Sequence, residues 1–332
     1  GSTIWAPLIE SHMSNVSDLI AGMSLPVIAA PMFTVSNPDM ALATCAQGMM
    51  GSFPAHTTRS GDMLEDWLIT MAEGVVRLSD EGVETVGPYG VNLVVAAGNR
   101  RLDQDLALCI KHQVPVILTS KGAPGEVFDA VHAYGGLVFH DIGAARHAEK
   151  ALAAGADGLI AVCRGAGGHG GTLNPFALVN EVRQLTDKTL ILAGAISTGQ
   201  DVLAAQVMGA DMVYMGTRFI NTEESGATDG YREMIIEARA TDIFWGTITD
   251  APSNTLTPSL LRAGVKLEDL RRQDPDAILA VSERKKRWKD VWSAGHGVGA
   301  IHDVLSVEAL CNRLKAEYAA AQTGLSRFQA AE

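Results

Sequence analysis

Cysteine is scarce in this 332-residue chain, and the four it has, Cys45, Cys109, Cys163 and Cys311, stand far apart with no CxxC pair. That spacing argues against a disulfide framework or a cysteine-based zinc site, no metal site is expected, and a reducing, cytoplasmic setting is the simplest reading. Long apolar runs are missing as well. None reaches the roughly 18 residues of a membrane span, so no membrane insertion is expected. Basic residues are outnumbered, 26 against 38 acidic, which leaves a net charge of −12. A chain so charged is not built to hold nucleic acid or an anionic membrane surface. Aromatics make up only 5% of the sequence.

What is present is core material. Hydrophobic residues reach 47% and charged residues 19%, the composition of a globular protein with a sizeable core, as one large α/β domain or two smaller ones. Residues 1–12, ending in Ser11-His12 before Met13, lack the apolar stretch of a signal peptide and read as an expression-tag remnant.

From about residue 25 to 222, short apolar runs alternate with amphipathic, Ala-rich segments. The runs are Val27–Met32, Met49–Ala55, Tyr89–Val95, Val114–Thr119, Gly136–Ile142, Gly158–Cys163, Thr189–Gly194 and Met212–Thr217. Continuous apolar stretches are the mark of parallel strands buried on both faces. A Gly-Ala-Asp piece stands between helix and strand twice, ending at Asp157 and at Asp211, with Gly as the helix C-cap. Eight strands in a βα repeat predict a (β/α)8 TIM barrel, with an open, doubly wound sheet as the alternative. Both folds place ligands at the carboxyl ends of the strands. The unusual residues fall there: Pro31-Met32, Asn92, Ser120-Lys121, His140-Asp141, Gly194-Ala195 and Gly216-Thr217.

The expected domain plan is a barrel over 23–222 plus 303–322 and a helical substrate or lid domain over 223–302. The latter is more charged and carries Trp245, Trp288 and Trp292. Its basic run Arg284-Lys285-Lys286-Arg287 reads as a solvated helix face, and the helix Val307–Gln322 is expected to close the barrel.

The richest stretch is Gly165-Ala166-Gly167-Gly168-His169-Gly170-Gly171, behind the sixth run, with five glycines in seven residues. Glycine lets a backbone approach a flat or anionic ligand closely. Histidine exchanges a proton near neutral pH, and this one has few side chains around it to bury it. After the seventh and eighth runs, Gly194-Ala195 and Met215-Gly216-Thr217 have phosphate-binding character, the first leading into a helix N-terminus. Asn92 is a polar residue inside an apolar strand and needs a structural or a ligand partner. Cys163 reads as a small buried hydrophobe.

These motifs, in this order, resemble the nitronate monooxygenase (2-nitropropane dioxygenase-like) family of FMN-dependent TIM barrels. The specific pieces are Ala-Gly-Gly-His at 166–169, Met-Gly-Thr-Arg-Phe at 215–219 followed by Thr222-Glu223-Glu224-Ser225, and Trp-Ser-Ala-Gly at 292–295. The resemblance implies FMN contacts from Ala30, Pro31, Met32, Asn92, Gly167 and Gly168. It also implies that Gly194, Ala195, Met215, Gly216 and Thr217 hold the phosphate. His169 matches the family's catalytic base, which removes the α-proton of a nitroalkane. Lys121 is a candidate for positive charge near the flavin, and Ser293 and His140 are the candidate substrate-side residues.

Three positions depart from the pattern: Gly165 where many members have Glu or Gln, His140-Asp141 where some have lysine, and Ala195 where many have a second glycine. The expected partners are a small-molecule substrate and O2, with a homodimer possible. An NAD(P)H-dependent quinone or enoyl-thioester reductase shares the scaffold. A flavin-free, phosphate-binding lyase or isomerase barrel is the remaining enzyme alternative.

Overall fold

The apolar runs form parallel strands, and the ring they make is closed. The computed structural model describes residues 15–248, 252–272 and 291–325. Its strands are β1 Val27–Ala29, β2 Gly51–Pro54, β3 Tyr89–Val94, β4 Val116–Ser120, β5 Leu137–Ile142, β6 Gly158–Val162, β7 Gly168–His169, β8 Thr189–Ala193, β9 Met212–Met215, β10 Ile243–Thr247 and β11 Pro252–Leu256. One sheet runs β1-β9-β8-β6-β5-β4-β3-β2 with every pairing parallel. Met50, just before β2, bridges back to Ile28. Its N–H donates to Val27 O at 3.0 Å, and Ala29 N–H donates to Met50 O at 2.9 Å. These bonds leave the sheet no free edge, so it is a TIM barrel, and the open doubly wound alternative is excluded.

The repeated Gly-Ala-Asp pieces have a local role. Asp157 Oδ2 accepts from Val138 N–H and Asp211 Oδ2 from Leu190 N–H, both at 2.8 Å. Each carboxylate thereby fastens its loop to the start of the neighbouring strand. Helices of eight residues or more follow seven of the barrel strands, from Pro38–Cys45 after β1 to Gly199–Met208 after β8, and directly after β9 comes only the short helix Thr217–Ile220. The eighth outer place, between those two helices, is taken by Val307–Gly324. Gly199 permits that packing, because a Cβ there would lie 2.0 Å from Leu314 O.

Strand alternation separates two cores. Val27, Ala29, Val91, Ile117, Val138, Leu159, Leu190, Val213 and Met215 point outward and pack beneath the helices. Ile28, Val116, Leu118, Leu137, Phe139, Ile160, Ile191 and Met212 point inward and fill the barrel. The second set is a solid plug rather than a pore.

After β9 the chain leaves the barrel and covers its mouth. The sequence-based expectation is a helical insertion or cap, and the region is helical in part. It has the helices Asp229–Glu237, Thr257–Arg262 and Leu267–Arg271, but also the antiparallel hairpin β10–β11, to which β7 adds a third strand. The reason is legible in Ile243-Phe244-Trp245, β-branched and aromatic residues that suit a half-buried strand. Val35, Ile220, Tyr231, Ile235, Leu256, Trp292, Ala294 and Ile301 form a core under the cap. Within it Tyr231 stacks on Trp292 at 4.9 Å and Arg262 lies 3.9 Å over the same indole. The tag remnant at 1–12, the basic run 284–287 and Trp288 lie outside the described residues. Among the described residues no helix is long and apolar enough to cross a membrane.

Candidate active site

Barrel and cap enclose an open cleft of about 1590 Å³ at the carboxyl ends of the strands. A pocket for one drug-sized ligand is typically about 300–1,000 Å³, so this cleft has room for a cofactor and a substrate together. Its wall includes Ala30, Pro31, Met32, Asn92, Lys121, Gly167, Gly168, His169, Gly194, Ala195, Gly216, Thr217 and Ser293.

The glycine loop is held from three sides. Gly165 O accepts from His296 N–H at 2.9 Å and from Ala195 N–H at 3.3 Å. Asn254 Nδ2 donates to Ala166 O at 2.7 Å. Gly168 and His169 pair with Asn254 and Ser253 of β11. Several of the glycines answer to the protein's own backbone. A Cβ at Gly171 would sit 2.1 Å from Val162 O, one at Gly295 2.3 Å from Gly165 O, and one at Gly167 2.9 Å from Gly295 N. Gly168 is different: its φ is +69° and nothing lies within 4 Å of where a Cβ would be. It is the position in this loop where a flat ligand has open approach. His169 is exposed within the cleft wall, on a backbone that the cap hairpin fixes.

The loop after β1 is fixed by Ser36, whose Oγ accepts from Met32 N–H at 2.8 Å and donates to Ala30 O at 3.3 Å. Asn92 points inward and its Nδ2 donates to Leu118 O at 3.0 Å, so one end of the amide is structural. Thr217 Oγ1 accepts from Gly295 N–H at 2.9 Å, which ties the Met-Gly-Thr-Arg-Phe piece to the Trp-Ser-Ala-Gly piece. Arg218 is buried and pairs with Asp303 at 2.8 Å, anchoring the chain as it returns to the barrel. Tyr231 donates its hydroxyl proton to Ser293 O, holding Ser293 at the wall.

Two expected site residues are turned away by strand alternation. Met215 is fully buried under the outer helices and is not on the cleft wall, while its carbonyl accepts from Ala30 N–H. His140 reaches the cleft edge but is buried, with Nδ1 2.7 Å from Thr119 Oγ1 and its ring 5.8 Å from Phe128 of an outer helix. Burial, and then the nearby His147, push His140 down to about 4, so it is a neutral imidazole at physiological pH.

The helix N-terminus expected to attract phosphate is also already satisfied. Asp201 accepts from Ser197 and Thr198 N–H, and Glu317 accepts from Gly199 N–H at 2.8 Å. These three N–H groups are therefore taken by the protein's own carboxylates. The loop backbones at Gly194-Ala195 and Gly216-Thr217 remain on the cleft wall.

Sequence reasoning gave no role to Asp141, although it marked the position. Asp141 follows the inward-facing Leu137 and Phe139 on β5, and its Oδ1 is buried without a hydrogen-bond partner. Burial pushes the carboxyl up to about 7. His56 was missed because it lies in an unremarkable segment. It lines the cleft, stacks on Phe33 at 5.2 Å, and is held below its ordinary value by burial and then by Arg101 and Lys121. All four cysteines are free and buried, and burial pushes Cys163 up to about 12.

A TIM barrel whose capped mouth presents a glycine-borne histidine and two glycine loops has the frame of a barrel oxidoreductase. The nitronate monooxygenase family model matches residues 79–317, and the chain belongs to that family, one of flavin-dependent oxidoreductases. A probable nitronate monooxygenase of Staphylococcus haemolyticus (strain JCSC1435) is 24% identical, over 86% of this chain and 87% of that protein. A Rhodococcus jostii (strain RHA1) protein, (3aS,4S,5R,7aS)-5-hydroxy-7a-methyl-1-oxo-octahydro-1H-indene-4-carboxyl-CoA dehydrogenase, is 29% identical over 64% of this chain, and the match spans only 57% of that relative. Among solved structures, nitroalkane oxidase from Streptomyces ansochromogenes superposes with a TM-score of 0.78 at 25% identity, over 92% of this chain and 99% of that one. FabK from Thermotoga maritima shares the fold, with a TM-score of 0.80 at 23% identity over 94% and 98%.

Proposed function

We propose that the chain is an FMN-dependent oxidoreductase that converts nitroalkanes or their nitronates with O2, and that His169 is its general base. The observation that carries this reading is the seating of His169, with its imidazole on the cleft wall and its backbone pinned by β11. The residues fit a ring cofactor: Gly168 leaves open space, the cleft has volume to spare, and the orphaned Asp141 oxygen waits for a partner. The flavin, when bound, supplies the electron-accepting and O2-reducing chemistry that no side chain offers.

The protein's own share is positional and acid–base. The Ala30–Met32 loop, Asn92 and Gly168 would hold the ring, with Gly194, Ala195, Gly216 and Thr217 on the phosphate side. His169 takes the proton from the carbon that bears the nitro group, a role for which imidazole chemistry is suited. The cap keeps bulk water from part of the cleft, with Trp245, Trp292 and Ser293 on its wall.

Replacing His169 with Asn tests the role. Turnover of a neutral nitroalkane, followed by oxygen uptake, is expected to fall about 10²- to 10⁴-fold, the usual share of a general base. Turnover of a preformed nitronate, which has no α-proton left to remove, is expected to survive. Equal loss on both substrates overturns the assignment.

A second reading, an NAD(P)H-dependent reductase of quinones or enoyl thioesters, draws support from Lys121, Arg146 and Lys150 at the cleft, cations suited to a phosphate-bearing substrate. Anaerobic mixing separates the two. Bleaching of the flavin by NAD(P)H alone favours the reductase, and bleaching only by a nitronate favours the monooxygenase.

A further inference from the structure

The floor of the cleft carries a carboxyl group that the proton-abstraction chemistry does not use. On β5 the inward positions are Leu137, Phe139 and then Asp141, one pleat above the apolar plug. Asp141 lines the cleft, and its Oδ1 is buried with no hydrogen-bond partner among the described residues. Asp141 as a whole is half-buried, but an ionised carboxylate there would have one oxygen without water or a hydrogen-bond donor, which disfavours the charged form. The protonated form avoids that cost but leaves an O–H that needs an acceptor.

The groups that face it are few. Tyr214 stands inward on β9, held as a neutral phenol by its burial and by Asp141 itself. Asn92 on β3 and Ser120 on β4 are neutral. His140 on β5 is turned toward Thr119 and Phe128. Lys121, Arg146, His147 and Lys150 belong to the cleft wall around the ends of β4 and β5. No hydrogen bond from a described residue reaches the buried Oδ1, and the cleft that Asp141 lines is where a partner for it would come from.

We propose that Asp141 is a further binding residue of this site, donating a hydrogen bond as a carboxylic acid to a carbonyl oxygen or bare ring nitrogen of the bound flavin. This rests on the reading of the cleft as a flavin site. It also gives a physical sense to an acid standing at a strand end where lysine is the alternative. Both side chains donate a proton, but only the acid loses that ability, and turns anionic, when it ionises.

The test is equilibrium binding of FMN to the full-length apoprotein, followed by quenching of flavin fluorescence between pH 6 and 8.5. Three proteins are compared: wild type, Asp141→Asn and Asp141→Leu. Asn keeps a donor and cannot ionise, so the ratio of wild-type to Asn affinity cancels titration of the FMN phosphate. That ratio is expected to fall by up to about 30-fold across the range, approaching tenfold per pH unit above 7, the slope set by loss of one proton per bound ligand. Leu is expected to bind about 3- to 10-fold more weakly than Asn at every pH, the worth of one hydrogen bond. A ratio independent of pH, with Leu equal to Asn, overturns the role of Asp141 while the flavin reading stands. A ratio that rises with pH makes Asp141 an ionised acceptor and overturns the proposal as well. Failure of all three proteins to bind FMN overturns the flavin reading and this proposal together. The Asn variant is nearly isosteric, so the pH ratio decides even where Leu disturbs folding.

Discussion

The lower and upper halves of the barrel share strands and backbone geometry yet carry different side chains. Low in the barrel, the inward positions are Val116, Leu118, Leu137, Phe139, Ile160, Ile191 and Met212. One pleat further along β4, β5 and β9 they become Ser120, Asp141 and Tyr214, and on β3 the inward residue is Asn92. Backbone strain divides the same way. Of the four described non-glycine residues with positive φ, Thr34, Lys121 and Ala195 line the cleft, and only Gln113 lies before a strand. Stability and chemistry are therefore separated by height within each strand rather than by element. This is why one fold tolerates so many reactions at its upper rim.

The largest test of that division is Phe139→Ala. Phe139 is fully buried and packs against Gly158, where a Cβ would lie 2.8 Å from the ring. Truncation opens a cavity in a plug that cannot collapse, so urea unfolding is expected to show a loss of about 3–5 kcal/mol. His169→Asn, on the exposed rim, is expected to stay within about 0.5 kcal/mol of wild type in the same assay. Comparable losses for the two would break the comparison.

A pH test places the boundary inside one strand. His140 is held down at about 4 and Asp141 up at about 7, chiefly by burial in both cases. For His140, the unfolded chain binds more protons than the folded one between pH 4 and 6.5. Stability from this residue is therefore complete above 6.5 and lost as pH falls to 4. For Asp141 the folded chain binds the extra proton between pH 3.8 and 7, so stability is complete below 3.8 and lost as pH rises to 7. At 1.36 kcal/mol per unit each residue contributes up to about 3–4 kcal/mol, and the two oppose each other over nearly the same window. Thermal or urea unfolding of Asp141→Asn is expected to show stability rising with pH from 4 to 7 more steeply than wild type. His140→Gln is expected to shift the slope the other way. Slopes unchanged in both variants would mean that neither residue is buried as described.

Much of this was readable from the chain. Eight apolar runs predicted eight strands because parallel strands buried on both faces need continuous apolar sequence. Their ends marked the cleft. What the sequence could not show was the direction of each side chain, since Leu137-Val138-Phe139 is apolar on both faces and His140-Asp141 puts one polar residue on each, which gives no phase. The phase comes from barrel closure, and it turns His140 and Met215 outward and Asp141 inward. The cap hairpin was missed for a related reason. β11 is flanked by β10 on one side and by β7 on the other, and a two-residue strand in a glycine loop has no sequence signature. The carboxylate that meets the helix end at Gly199, Glu317, lies 118 residues away and so has no local signal in the sequence.

The smallest expected effect concerns strain at the rim. Ala195 holds φ +57°, a left-handed conformation that costs a residue with a Cβ about 1–2 kcal/mol. Its place is over-determined: its N–H donates to Gly165 O, and Gly297 packs so closely that a Cβ there would sit 3.2 Å from the Ala195 carbonyl carbon. Ala195→Gly removes the strain but adds backbone freedom to the unfolded chain, worth about 0.5–1 kcal/mol in the other direction. The difference is a gain of roughly 0.5–1 kcal/mol in urea unfolding, the reverse in sign of the Phe139 result. The methyl group is small and lies 3.4 Å from the position of a Gly165 Cβ, so little packing is lost with it. A net loss of stability would show that Ala195 is seated by its contacts more than it is strained by its backbone, and the division of the barrel by height would then rest on side-chain polarity alone.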